Sequence, residues 1–462
     1  MDKLHFIKDE TQGKRVLILG FGKEGQAAYH YLTRNVPGIN ISIADSNENA
    51  APGFTFAKSV PLYWGPLYLR SVQEADIIVK SPGIPLKSIP EIHHKKVTSQ
   101  TEWFIRGYRN QIVGITGTKG KSTTSSLLFH IFRESGIKSL LIGNIGTPAL
   151  SVIDQIEEDT LVVYELSCHQ LQEIQYSPSS AILLNIFQEH LDHYNNLEEY
   201  QLAKIQIALH QHPSDHFIYH SDDITIKTLL SRNKVRSDVY PFSMKNKRNN
   251  SIYVEQNSIV FNYKEKEHLL VDDIYDIPLL GDHNILNIMA ASGQAFLKGV
   301  AVKGINRAVH SFQPLEHRLE YMGVYRGISF YNDSISTIPE STVQAIKTLK
   351  DVHTLIVGGF DRGIDFTVLV DYLFISTVKL IIATGDAGAR IALELQHKGI
   401  IPFEIITADD YQQVVSLALQ KTPSGKMCLL SPAAASYDWF KNFEERGNIF
   451  KSLVKNSSKA IL

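Results

Sequence analysis

Apolar residues in this chain fall in short continuous runs, each followed by glycine or polar residues and then by a stretch of helical period. Arg15-Val16-Leu17-Ile18-Leu19 predicts a buried strand, Gly20-Phe21-Gly22-Lys23-Glu24-Gly25 a turn, and 26–34 a helix. Residues 41–44 predict a second strand ending at Asp45, and 76–80 a third that Ser81-Pro82-Gly83-Ile84-Pro85 must terminate as a loop. Continuous runs alternating with helices are the mark of parallel strands covered on both faces. The order strand, glycine turn, helix, strand, acid fits a Rossmann-like nucleotide-binding unit, whose ligands lie at the C-terminal edge of the sheet.

The pattern restarts near Thr101, with strands expected at 111–113, 139–142, 161–164 and 181–187. They run into polar residues suited to a site: Gly143-Asn144, Glu165-Leu166-Ser167 and Gln188-Glu189-His190. From Asp215 to Asp276 the sequence alternates, as in Ser251-Ile252-Tyr253-Val254, which predicts a small antiparallel excursion. From about Leu315, strands at 328–331, 354–357, 380–383, 403–407 and 428–430 again alternate with helices, predicting a second Rossmann-like domain. The expected architecture is α/β in three domains, 1–99, 100–314 and 315–462, the central one a parallel sheet around a phosphate loop.

Composition changes this picture little. The 462 residues carry Lys+Arg 46 against Asp+Glu 48, so no bulk charge favours nucleic acid or an anionic membrane, and an anionic ligand must be bound locally. Two cysteines, Cys168 and Cys428, are too few for a disulfide framework or a zinc site. Residues 1–12 lack an apolar leader core, and no run reaches the ~18 residues of a membrane span, so a cytoplasmic protein is expected; separately, a monomer acting on small molecules is expected.

The chemistry is concentrated in Gly114-Ile115-Thr116-Gly117-Thr118-Lys119-Gly120-Lys121-Ser122-Thr123-Thr124, between an apolar strand and an apolar helix. Such a turn aims backbone N–H groups at phosphate, Lys121 reaches the outer phosphates, and the Ser122 hydroxyl can bind Mg²⁺. The strict pattern needs glycine where Ile115 stands, so this loop is a variant. Glu165, ending an apolar strand, sits where a phosphate-loop protein places a second metal ligand, or else is a buried structural carboxylate. His190, close to His193, reads as a metal or phosphate contact or as a surface histidine. Leu197, Tyr200, Lys204 and Ile207 share one helix face, which places Lys204 in an apolar stripe. A buried lysine is driven towards its neutral amine, which can take up carbon dioxide as a carbamate; a lysine reaching out to solvent is the alternative. The Gly20-x-Gly22-x-x-Gly25 turn suits a dinucleotide or another diphosphate, and Asp45 suits either a ribose or uracil contact or a turn.

In this order the motifs resemble the Mur ligase family over nearly the whole chain. The resemblance rests on Gly117 to Thr123, Gly143-Asn144-Ile145-Gly146, Glu165-Leu166-Ser167, His190-Leu191-Asp192, Ala203-Lys204 and His283-Asn284-Ile285-Leu286-Asn287. It continues in His317-Arg318, Asn332-Asp333-Ser334, Gly358-Gly359, Leu430-Ser431-Pro432-Ala433-Ala434-Ala435-Ser436, Phe440-Lys441-Asn442-Phe443 and Arg446-Gly447. The resemblance implies ATP-driven amide ligation, joining D-glutamate to UDP-N-acetylmuramoyl-L-alanine through an acyl phosphate, with two Mg²⁺ ions. It implies that Lys121, Glu165, His190 and Lys204 serve catalysis, and that Ser122, Glu165, His190 and carbamylated Lys204 hold metal. Gly117, Thr118, Lys119, Gly120, Lys121, Ser122, Thr123, Asn284, Asn287, Arg318 and Asp333 would bind ATP. Gly22, Lys23, Asp45, Ser46, Ser81, Pro82, Gly83, Asn144 and His190 would bind the UDP substrate, and Thr337, Arg362, Ser436, Tyr437 and Phe443 the glutamate.

One departure bears on specificity. Many members carry lysine after Asn-Asp-Ser, whereas this chain has Ile335, which cannot neutralise a carboxylate. Arg362, in Gly358-Gly359-Phe360-Asp361-Arg362-Gly363, can supply that charge bidentately, or is a plain turn arginine. L-Glutamate therefore stays open beside D-glutamate. A folate polyglutamate ligase is disfavoured because a Rossmann-like unit precedes the phosphate loop, and a non-catalytic nucleotide-binding protein because Lys121, Glu165, His190 and Lys204 are all kept.

Overall fold

A computed structural model of the chain describes residues 3–56, 60–143, 146–189, 193–400 and 402–459. Among these residues the strands form three sheets, and the chain separates into two compact units, 1–277 with 283–312, and 278–282 with 313–462. The first unit holds two of the sheets.

The first sheet has the spatial order Leu62–Trp64, Asn40–Asp45, Arg15–Leu19, Ile77–Lys80, Val97–Thr98, all parallel. Its order reverses direction at Arg15–Leu19, so the Gly20 turn and the Ser81 loop meet at the switch point. The run that reads as uniformly apolar serves two cores. Val16 and Ile18 face the core shared with the central domain, and Leu17 and Leu19 face a second cluster with Val72, Ala75, Ile78 and Ile89.

The central sheet has nine strands, with Ile112–Thr116 flanked in parallel by Leu161–Glu165 and Ser180–Leu183. Two expectations are corrected here. The strand expected over 181–187 ends at Leu183, because the following residues leave the ladder to wrap the phosphate loop. The region 215–276 is only partly antiparallel: His216–His220, Asp238–Ser243 and Ile252–Glu255 extend the parallel sheet, and helix Ile224–Arg232 lies between the first two. Only Ile252–Glu255, Ser258–Tyr263 and Lys266–Val271 pair antiparallel. The alternation near 251–254 is a local signal, whereas the strands at 216–220 and 238–243 join the parallel ladder and bury Phe217, Ile218, Tyr240 and Phe242.

The second unit is a six-stranded sheet in the order Glu320–Tyr325, Ile328–Asn332, Met427–Leu430, Val352–Gly358, Leu380–Thr384, Glu404–Ala408. Only the edge pair Glu320–Tyr325 with Ile328–Asn332 is antiparallel, and that edge strand has no counterpart in the sequence expectation. Leu355, Val357 and Leu429 face one core while Ile356, Cys428 and Leu430 face the other. Among the described residues no helix is long and apolar enough to cross a membrane.

The first glycine turn has a sharp steric requirement. A Cβ built on Gly25 would fall on the Gly20 carbonyl oxygen, a backbone atom that cannot swing aside. Gly25→Ala is therefore expected to destabilise the first unit by about 1–3 kcal/mol, measurable as a lower urea midpoint, whereas Gly38→Ala, with nothing near its Cβ, costs only its left-handed strain.

Candidate active site

The phosphate loop joins strand Ile112–Thr116 to helix Lys121–Glu134, and Gly120, at φ 87°, caps that helix in the left-handed region. A Cβ there would strike Asn287 Oδ1, so the glycine permits the close approach of helix Asp282–Leu297. Asn287 Nδ2 in turn donates to Asn284 Oδ1 at 3.1 Å. The loop is held from the other side by a residue that sequence reasoning missed. Asn185 Oδ1 accepts from Lys119 N at 2.8 Å, Asn185 Nδ2 donates to Lys119 O at 3.0 Å, and Thr118 N donates to Asn185 O at 2.9 Å. Its only signal was a polar residue inside the apolar run expected as the strand 181–187.

Two lysines converge on this loop. Lys121 Nζ donates to Gly117 O at 2.9 Å and Thr118 O at 3.0 Å, and Lys204 Nζ donates to the same Gly117 O at 3.0 Å. Lys204 is 1% exposed, which rules out the solvent-reaching alternative. Helix Leu197–Leu209 starts where Asn196 accepts from Glu199 N at 2.9 Å, and Tyr200, one turn before Lys204, lies 2.7 Å from Thr118 Oγ1 through its hydroxyl. The Tyr200 ring also faces the Lys204 ammonium, 4.9 Å from its centroid. Burial, then the nearby Lys121 charge, push the Lys204 pKa down to about 7, so its neutral amine is well populated near neutral pH. Burial also lowers Lys121, opposed by the charges of Glu165 and Glu189.

Glu165 is 1% exposed at the end of strand Leu161–Glu165, and Ser125 Oγ on the phosphate-loop helix lies 3.4 Å from its Oε2. Ser122 opens the same helix, and Thr123 is buried behind it. A helix-start hydroxyl and one buried carboxylate around a phosphate loop suit Mg²⁺, which is commonly held by one or two carboxylates together with substrate phosphates. Lys119, read as part of the ATP set, pairs with Glu189 at 2.6 Å at the partly exposed rim. His190 and Asn144 lie outside the described residues.

At the edge of the first sheet, Asp45 Oδ2 accepts from Phe21 N at 2.7 Å and its Oδ1 from Asn47 N at 2.8 Å, so Asp45 pins the glycine turn. Ser81 Oγ donates to Gly20 O at 2.8 Å, closing Ser81, Pro82 and Gly83 onto that turn. Gly22 and Lys23 start helix Lys23–Asn35 beside it, and Ser46 is exposed. Lys23 reaches the central domain: a Cβ on Gly146 would stand 3.6 Å from its Nζ.

In the second unit, Arg446, which the sequence marks only as part of a motif, is 1% exposed. Its guanidinium donates to Ser334 Oγ at 3.0 Å, Ser334 O at 2.8 Å, Ala434 O at 3.1 Å and Ala435 O at 3.2 Å, fastening two loops together. Those loops carry most of the candidate glutamate residues. Arg362 Nη2 donates to Thr337 O at 2.9 Å, Phe360 N donates to Ala435 O just before Ser436, the Phe360 and Tyr437 rings lie 6.5 Å apart, and Phe443 O accepts from Ser334 Oγ. Arg362 and Tyr437 are exposed, and Ser436 is buried. Asp333 accepts from Leu319 N at 3.1 Å and Ser431 Oγ at 2.8 Å; burial pushes its pKa up to about 6, opposed by those bonds and by the Arg318 charge. Asp333 thus braces the Arg318 loop from within the fold.

Three family models match the chain: Mur ligase MurD-like, N-terminal domain over 14–100, Mur ligase middle domain over 115–295, and Mur ligase, glutamate ligase domain over 317–434. The chain is similar to UDP-N-acetylmuramoylalanine--D-glutamate ligase of Koribacter versatilis, 34% identical over 97% of this chain and 99% of the relative. It is likewise 34% identical to the ligase of that name from Ruminiclostridium cellulolyticum, over 98% of this chain and 99% of the relative. Among solved structures it shares its fold with MurF of Acinetobacter baumannii, at TM-score 0.60, 15% identity, and coverage of 97% and 92% of the two chains. It also shares it with MurF ligase of Thermotoga maritima in complex with ADP, at TM-score 0.58, 16% identity, and coverage of 99% and 100%.

The Lys204 environment makes a measurable claim. Its pKa is about 7 when folded against an ordinary value of 10.5, so between these limits the unfolded chain binds the extra proton and stability rises with pH. Lys204→Met, which keeps much of the volume without the charge, is expected to flatten that rise, read as urea midpoints of wild type and variant at about pH 7 and about pH 10.

Proposed function

The chain belongs to the Mur ligase family, and on that premise we propose that it joins D-glutamate to UDP-N-acetylmuramoyl-L-alanine at the cost of ATP. The observation that carries the proposal is the convergence of Lys121 and Lys204 on Gly117, beside buried Glu165. A cationic Lys121, a second lysine whose neutral amine can take up carbon dioxide, and a buried carboxylate around a phosphate loop suit transfer of a phosphoryl group, which needs positioning and charge neutralisation more than covalent help from the protein.

The three domains divide the work. Residues 1–99 hold the UDP group at the switch point between the Gly20 turn and the Ser81 loop, using Gly22, Lys23, Asp45, Ser46, Ser81, Pro82 and Gly83. Residues 100–314 hold ATP by the loop from Gly117 to Thr123 and by Asn284 and Asn287, with Asn144 and His190 towards the sugar peptide. Residues 315–462 supply Arg318, on a loop braced by Asp333, to the nucleotide, and Thr337, Arg362, Ser436, Tyr437 and Phe443 to the amino acid.

The substrate carboxylate attacks the γ-phosphate, forming an acyl phosphate and releasing ADP. The glutamate amine then adds to the acyl carbon, loses a proton, and the tetrahedral intermediate expels phosphate as the amide forms. Lys121 follows the charge that shifts onto the phosphate oxygens. Ser122 and Glu165 would hold one Mg²⁺, and His190 with carbamylated Lys204 a second; bound there, the ions neutralise phosphate charge. Taking up carbon dioxide replaces an ammonium crowded against Lys121 with an anion, which relieves the repulsion between the two lysines. Arg362 replaces the positive charge that Ile335 lacks and pairs with a glutamate carboxylate.

Phosphate release from ATP is expected only when UDP-N-acetylmuramoyl-L-alanine and glutamate are both present, and faster with the D isomer. No release with either isomer refutes the ligase reading, and faster turnover with L-glutamate reverses the stereochemistry. Lys204→Ala is expected to lose activity and regain part of it with added short carboxylates; full activity without them removes the carbamate role. Arg362→Ala is expected to raise KM for glutamate by about tenfold to a hundredfold, from loss of a charge-assisted pair, with KM for ATP little changed.

A further inference from the structure

Two side chains of the first domain cross to one short segment of the central domain. Gln170 Nε2 donates to Glu24 Oε1 at 2.8 Å, and Lys80 Nζ lies 3.3 Å from Glu173 Oε1. Gln170 and Lys80 are almost fully buried, so these contacts are made away from water, where they are strongest. Burial raises the Glu24 carboxyl, and Gln100, Gln170 and Lys80 act in the opposite direction.

Each end of this bridge is fixed to a part of the site. On the central side, Gln170 Oε1 accepts from Ser167 N at 2.9 Å and Ser167 Oγ at 3.1 Å, and Ser167 caps helix Cys168–Leu171. This cap, in which Ser167 and Gln170 hydrogen-bond each other reciprocally, begins two residues after Glu165. Leu166 between them donates its N–H to Ile115 O at 2.9 Å and accepts from Thr116 Oγ1 at 2.8 Å, on the strand that feeds the phosphate loop. On the first-domain side, Glu24 belongs to the glycine turn, and Lys80 Nζ also donates to Ile84 O at 3.0 Å, closing the turn that contains Ser81, Pro82 and Gly83. One segment, 165–173, therefore carries the candidate metal carboxylate at its start and both first-domain contacts near its end.

We infer that Glu24 and Gln170 are positioning residues for the ligation: their hydrogen bond fixes the glycine turn that holds the UDP group relative to the segment that holds Glu165. The inference rests on the ligase reading. In-line attack of a carboxylate anchored in one domain on a phosphate anchored in another tolerates little error, and a misplacement of about 1 Å can cost about a hundredfold in rate. Glu24 acts through Gln170 and touches no reacting atom.

Partner exchange tests this in the full-length chain with UDP-N-acetylmuramoyl-L-alanine, ATP and D-glutamate. Gln170→Glu sets two carboxylates against each other and is expected to lower kcat at least about tenfold, with KM for ATP and glutamate within about twofold. Adding Glu24→Gln restores a donor facing an acceptor, while the carboxylate introduced at position 170 still accepts from Ser167, and is expected to recover kcat to within about threefold of wild type. Hydrogen exchange over 166–172 should quicken in the single variant and slow again in the exchanged pair. Wild-type kcat and exchange in Gln170→Glu, or a loss that Glu24→Gln does not recover, overturns the inference. If Gln170→Glu does not fold, Glu24→Ala is read by the same two measurements, with the same loss and quickened exchange expected and wild-type behaviour overturning the inference. If wild type forms no product, the ligase reading fails by itself, and the exchange comparison still decides whether the pair holds the segment.

Discussion

Two ammonium groups share the Gly117 carbonyl oxygen, and the central site is organised around that crowding. Like charges brought together away from water are costly, and the fold relieves the cost only in part: the Tyr200 ring faces one cation, Glu165 and Glu189 act on the other, and the pKa of Lys204 is pushed down to about 7. The supports around the loop follow from the need to keep two lysines there: Asn185 clamps the loop backbone, Tyr200 ties the Lys204 helix to Thr118, and Gly120 lets Asn287 approach.

A steric constraint governs the first domain in the same way. Its turn at Gly20 to Gly25 is too tight for side chains at Gly20 and Gly25, and Asp45 and Ser81 occupy hydrogen bonds that fix the turn from either side. Asp45 is therefore a brace of that turn. The hydrophobic core continues from Val16 and Ile18 through Trp103 and Phe104 to Tyr164 and Leu166, so this domain and the central sheet belong to one compact unit.

In the second unit a buried arginine plays the part that paired lysines play in the first. Arg446 has carbonyl and hydroxyl oxygens around it, and it draws the Ser334 and Ala434-Ala435 loops together. Ala433, at φ 58°, takes a left-handed conformation that a non-glycine residue adopts only where its surroundings enforce it. Asp361 meets Arg390 at 2.7 Å, which holds the turn presenting Arg362. The shape of the loops in this unit is thus set by charged groups behind them.

Local sequence by itself determined the strand-turn-helix units, the phosphate loop and the face on which Lys204 lies, because strand and helix periods and glycine turns are properties of neighbouring residues. It also carried the motifs by which family membership was legible. It misjudged 215–276, where alternation at 251–254 masked a parallel extension, and it stopped short of the Glu320–Tyr325 edge strand, since pairing partners lie far apart in sequence. Only the tertiary structure decided that Lys204 is buried on Gly117, that Asn185 and Arg446 hold the loops, and that Glu24 reaches Gln170. Burial, pKa and long-range hydrogen bonds depend on what the rest of the chain brings alongside a residue, and no local pattern encodes that.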